Sequence, residues 1–153
     1  LNANENIFAL ALASNHLPEQ HFAQAYRVIQ SWGEVQFSDV YLIPCRDGVG
    51  QDYWNSACLL ISNKTSAEIE LELKHLEAQA GRIRPSHQIS LDIDLIAWGK
   101  QLDQMQFNPK KMPLALDVKI PLFTLWQNPA FAVEVSNFPV VDFKTDHFYA
   151  STH

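Results

Sequence analysis

From Ile7 to Ser14 the chain reads IFALALAS, apolar at every position but the last. A short run without alternation is the pattern of a central strand covered on both faces. Asn15 ends it, and HLPEQHFAQAYRVIQSWG follows, with Phe22, Ala25, Tyr26 and Ile29 at helical spacing. Gly33 is predicted to close that helix at its C-terminal side. EVQFSDVYLI then alternates as a strand does, PCRDGVGQD has the composition of a loop, and YWNSACLLIS reads as a second strand. The two strands are expected to form an antiparallel hairpin with a long tip. Thr65 and Glu68 fit a capping box ahead of a second helix, whose Ile69, Leu73, Leu76 and Ala80 share a face and which Gly81 ends.

After the segment RIRPSHQIS, the stretch LDIDLIAWG alternates again. The order strand, helix, strand, strand, helix, strand predicts an α+β sandwich with a ferredoxin-like βαββαβ core. Its sheet would be antiparallel, with both helices on one face. The core would span about 6–99, with a C-terminal extension over 100–153, as one domain. In that extension LDVKIPLFTLWQNPAF suggests a short helix and FPVVDFK an edge strand.

Strand residues two apart project to the same side. Leu91, Ile93 and Leu95 therefore face one way, and Asp92 and Asp94 the other. Two carboxylates held that close repel unless a cation sits between them or one takes up a proton. A divalent metal fits that requirement. A solvated acidic face is the plain alternative, just as Arg82 and Arg84 could serve only to complement a helix C-terminus.

Composition narrows the rest. In 153 residues, 47% are hydrophobic and 18% charged, which is globular rather than disordered. The formal charge of −6 argues against a broad nucleic-acid surface. The two cysteines, Cys45 and Cys58, make no disulfide framework, so a reduced, cytoplasmic setting is expected, with Cys58 as core packing. The N-terminal stretch LNANENIFALALASN lacks a basic region and is short, and it is read as neither a signal peptide nor a membrane span.

Four segments, in order, resemble one family, the 6-hydroxymethyl-7,8-dihydropterin pyrophosphokinases of folate biosynthesis. ALASN is similar to the family's first-strand Gly-Ser-Asn, DYWNSACLLIS to its Asp-Tyr/Phe-Leu-Asn-Ala strand, LEAQAGRIR to its Glu-x-x-x-Gly-Arg-x-Arg helix end, and SLDIDLIAWG to its Leu-Asp-Leu-Asp strand. The resemblance implies transfer of pyrophosphate from ATP to the hydroxymethyl group of the pterin, with release of AMP. It implies that Asp92 and Asp94 hold two Mg²⁺ ions and that Arg82 and Arg84 act on the phosphates. Tyr53, Asn55 and Phe123 would bind the pterin, and Glu77, Arg84 and Leu95 would flank the nucleotide. ATP and a hydroxymethyl-dihydropterin would be the only partners of a monomeric protein, with no nucleic acid or membrane.

The chain also departs from the pattern. The family's loop before the aspartate strand is longer and carries a second arginine. Here it is PSHQIS, no arginine follows Arg84, and the matching position is Ile89. Where the family has Pro-His and then Arg-x-Phe, this chain has Pro113, Leu114 and Lys119; the family glycine is Ala13, and its helix glutamine is Lys74. His87, Lys110 or Lys111 are the cationic or titratable residues available as substitutes. The alternative reading is therefore a diverged paralogue that binds pterin or nucleotide, or regulates, with impaired turnover.

Overall fold

A computed structural model describes residues 2–44, 51–81, 88–133 and 137–143. Strand β1 (Asn6–Ser14) is central, flanked by β4 (Tyr53–Ser62) and β5 (Asp92–Gly99), and every strand pair in the sheet is antiparallel. Its alternation of large and small residues explains its two different faces. Phe8, Leu10 and Leu12 point to one side, and Ala9 and Ala11 pack on the other.

The large side meets α1 (Pro18–Gln30) and α2 (Ser66–Ala80), which bury Phe22, Tyr26 and Ile29 and Ile69, Leu73 and Leu76 in one core. The expected core order and shared helix face are thus present. Cys58 lies in this core, where burial raises its thiol pKa. Tyr26 donates to Ser56 Oγ at 2.9 Å, so its hydroxyl is satisfied inside. The capping box of α2 forms as expected: the Glu68 N–H donates to Thr65 Oγ1 and the Thr65 N–H to Glu68 Oε1. Gly81, at φ 83°, ends the helix in a conformation that side-chain-bearing residues rarely adopt.

Three expectations need correction. EVQFSDVYLI is not one strand but β2 (Glu34–Phe37) and β3 (Val40–Ile43), both paired to β4. Ser38 breaks the run by accepting the Ala57 N–H on its hydroxyl and donating its own N–H to the Ala57 carbonyl. Helix α1 stops at Gln30, three residues before Gly33. Gly33 serves a close approach instead, because a Cβ there would collide with the Ile61 carbonyl.

The third correction concerns the layers. A third helix, α3 (Leu116–Leu125), covers the alanine side of the sheet, so helices lie on both faces. Leu122, Trp126 and Phe131 close over Ala9, Ala11 and Ala57, which are small enough to let them in. Short strands β6 (Gln106–Phe107) and β7 (Val140–Val141) complete a seven-stranded sheet ordered β6-β5-β1-β4-β3-β7, with β2 beside β4. The edge strand read in FPVVDFK is β7. Among the described residues no helix is long and apolar enough to cross a membrane.

Candidate active site

The pairing register places chemistry-bearing residues in one line. Asp92 pairs with Ala13, Ala13 with Asn55, and Asn55 with Tyr41. Directly opposed residues in a sheet share a face. Asp92, Ala13, Asn55 and Tyr41 therefore form a row across four strands, on the α3 side. Strands lie about 4.8 Å apart, which puts the Asp92 and Asn55 backbones roughly 10 Å from each other. The residue between them in the row, Ala13, carries only a methyl group. The next row, Asp94, Ala11 and Ala57, runs under α3.

A bulge sets this facing. The β1–β5 register slips between Ala9 and Leu10, so that Ile96 is an extra residue opposite β1. Ile96 and Ala97 both join the α3-side core, while Leu95 and Ile93 return to the other face with Leu10 and Leu12. Bulges commonly re-aim side chains beside functional sites. Here the slip is what sends both aspartates to the side of the sheet that carries Asn55.

Beyond the reach of β6, the edge of β5 is held by side chains. Glu77 Oε2 accepts the Ile93 N–H at 3.0 Å, between the two aspartates. Asn108, 4% exposed, donates from Nδ2 to the Leu95 carbonyl at 2.9 Å and from its backbone N–H to the Ile96 carbonyl at 2.8 Å. That anchor carries the turn Pro109–Lys111, and Lys111 Nζ reaches Asp94 Oδ1 at 2.8 Å. The hydrogen bond to Asp94 raises the Lys111 pKa, and the charges of Glu77 and Asp92 add to the effect. Glu70, Lys74, Glu77, Asp94, Asn108 and Lys111 line a cleft at this edge.

Ser14 and Asn15 fasten the loops around the row. Asn15 exchanges hydrogen bonds with the backbone N–H and carbonyl of Ile89, and its Nδ2 donates to the Gln51 carbonyl at 3.4 Å. Ser14 Oγ donates to the His16 carbonyl at 3.2 Å. Ile89 is thus pinned at the backbone.

The sequence-read residues are distributed as follows. Asp92, Asp94 and Asn55 share the α3 side of the sheet. Asn55 is 2% exposed and donates to the Tyr53 carbonyl at 3.2 Å. Glu77 is close by, though bonded to the strand. The Leu95 side chain packs in the core and offers the cleft little beyond the strand edge. Phe123 is on α3, partly exposed beside the buried Ile120, Pro121 and Leu122. Arg82, Arg84, His87 and Cys45 lie outside the described residues. Lys111 was one of three residues read from sequence as a possible substitute for the arginine, without a partner assigned, and Asn108 and Tyr41 were not identified as site residues. Their contribution depends on where the extension returns and how β3 registers, which no local pattern encodes.

Among the described residues no group of three or more His, Cys, Asp or Glu side chains is placed to hold a metal. Two carboxylates are nevertheless what Mg²⁺ uses when substrate phosphates and water complete its shell. The donor set fits that ion and fits poorly a structural zinc, which takes four protein ligands.

A search of curated protein sequences finds no significant match. A scan against protein families matches residues 9–136 to 7,8-dihydro-6-hydroxymethylpterin-pyrophosphokinase. The match covers most of the chain, including β1 from Ala9 onward, the Asn55 strand and the aspartate strand. The chain therefore belongs to the 7,8-dihydro-6-hydroxymethylpterin-pyrophosphokinase family, whose role is ATP-dependent pyrophosphoryl transfer in folate biosynthesis.

Proposed function

We infer that this chain transfers pyrophosphate from ATP to 6-hydroxymethyl-7,8-dihydropterin, as a cytoplasmic, monomeric, single-domain enzyme. The observation that carries the reading is the row Asp92–Ala13–Asn55–Tyr41, which aligns a carboxylate, an amide and a phenol on one face of the sheet. The hydroxymethyl oxygen of the pterin attacks the β-phosphorus of ATP and loses its proton. The bond from that phosphorus to the α-phosphate oxygen breaks, and AMP leaves.

Asn55 presents a donor and an acceptor to the pterin edge, as an amide can, while Tyr53 and Phe123 supply aromatic walls. Asp92 and Asp94 would hold two Mg²⁺ ions, which neutralise phosphate charge and orient the two substrates. Arg82 and Arg84 meet the phosphates, and Glu77 and Leu95 flank the nucleotide. Incubation with ATP, Mg²⁺ and hydroxymethyl-dihydropterin should release AMP only when the pterin is present. AMP release that ignores the pterin would refute the reading.

One observation favours a second reading, a pterin- or nucleotide-binding paralogue with impaired turnover: Arg84 is the last arginine in the chain. Tight binding of both substrates without AMP formation would decide for it.

A further inference from the structure

Lys111 lies outside the four motifs that carry the family resemblance, yet its ammonium rests on one of the two aspartates, 2.8 Å from Asp94 Oδ1. It is placed there by a buried residue rather than by chance of a long side chain, because Asn108 ties the preceding turn to the Leu95 and Ile96 carbonyls. Asp94 contacts it directly, and Glu77 and Asp92 face it at longer range. Lys74 of α2 lines the same cleft. A metal ion and an ammonium at the same carboxylate oxygen compete for the same lone pairs. Lys111 and Asp94 are 38% and 36% exposed, so the pair is reachable by solvent and weak enough to exchange.

We propose that Lys111 is an internal counter-ion of the aspartate pair, seated on Asp94 until Mg²⁺ takes that carboxylate, and then transferred to the phosphates of the nucleotide. The proposal rests on the function inferred above and adds a phosphate-binding residue to it. The exchange is of cations only. The ammonium leaves one oxyanion for another, the metal takes its place, and no covalent bond or proton moves. Lysine suits this task because it is a compact charge on a flexible stem, able to swing between two partners. A forked guanidinium clamped on Asp94 would be harder to displace.

The test is calorimetric and needs no turnover. Mn²⁺ alone, and then the Mg²⁺ complex of a non-hydrolysable ATP analogue, are titrated into the native protein and into Lys111→Met. Lys110→Met serves as the control, removing the same charge one residue away from the pair. Mn²⁺ alone should bind Lys111→Met about fivefold more tightly, the scale of a partly exposed ion pair. The Mg²⁺-nucleotide should bind it about tenfold more weakly, as for loss of one charge-assisted hydrogen bond. Lys110→Met should show neither change, and Lys111→Arg, harder to displace from Asp94, should bind Mn²⁺ more weakly than native protein. If native protein binds the nucleotide complex but Lys111→Met matches it in both titrations, the role of Lys111 is overturned while the function stands. Native protein that binds no nucleotide complex overturns both.

Discussion

Asn55 is almost fully buried, and its Nδ2 donates to the Tyr53 carbonyl in a row that also holds Asp92 and Tyr41. Asn55→Ala should weaken pterin binding by about 1–3 kcal/mol, the cost of leaving buried polar groups unpaired. Unchanged pterin affinity in a fluorescence titration of that variant would remove Asn55 from the site. Asp94→Ala should abolish Mg²⁺-dependent nucleotide binding, measured with an ATP analogue at saturating and zero Mg²⁺. At this scale the sequence was informative where function depends on strand parity. Asp92, Asp94, Tyr53 and Asn55 are each two apart, and parity alone assigns each pair a common face. It named Lys111 only as one of three possible substitutes and not its partner, because Asp94 lies across a turn whose position depends on Asn108 capping a strand edge.

At the scale of elements, α2 shows local rules at their most legible. Thr65 and Glu68 were readable as a capping box, and both of its hydrogen bonds form. Thr65→Ala should lower the stability of the protein by about 1 kcal/mol in urea unfolding, the usual cost of losing an N-cap hydroxyl. The Glu68 pKa is lowered by the backbone and side-chain hydrogen bonds at Thr65. Its folded value is therefore below its unfolded one, so its contribution is complete above the ordinary glutamate range. It declines as pH falls below about 4.3 and vanishes below the depressed folded value. The stability gap between native protein and Glu68→Ala should close across that acidic window, and a gap that stays constant would contradict the assignment. Elsewhere elements were less legible. The break at Ser38 and the bulge at Ile96 each add one residue to a strand, and apolar alternation tolerates both. LIAW carries no mark of which residue is extra. A helix on the alanine face could have been suspected from the small residues of β1, but only once its partners were known.

For the molecule as a whole, the pairing register brings Asp92, Asp94 and Asn55 to one side of the sheet, and the residue at position 89 is expected to bear on rate. Ile89 is pinned by Asn15, so an arginine placed there would be held at the root of the loop. Ile89→Arg, with the loop after Arg84 lengthened, should raise the single-turnover rate more than ATP affinity. The new guanidinium would act mainly on charge that develops in the transition state. A native protein already as fast as its arginine-bearing relatives would show that the substitution is without consequence.

The side-chain capping of β5 has a further consequence, for solubility. An exposed strand edge with unpaired backbone groups is a template for another chain. Glu77 and Asn108 occupy those groups along the segment that β6 leaves uncovered, and in doing so they also keep the cleft mouth clear of a pairing strand. Glu77→Ala combined with Asn108→Ala should leave the Ile93 N–H and the Leu95 carbonyl without their side-chain partners. That variant is expected to self-associate in a concentration-dependent way by light scattering, at a protein concentration where the native chain does not. The residues that line the cleft would then also be what keeps one copy from adding to the next.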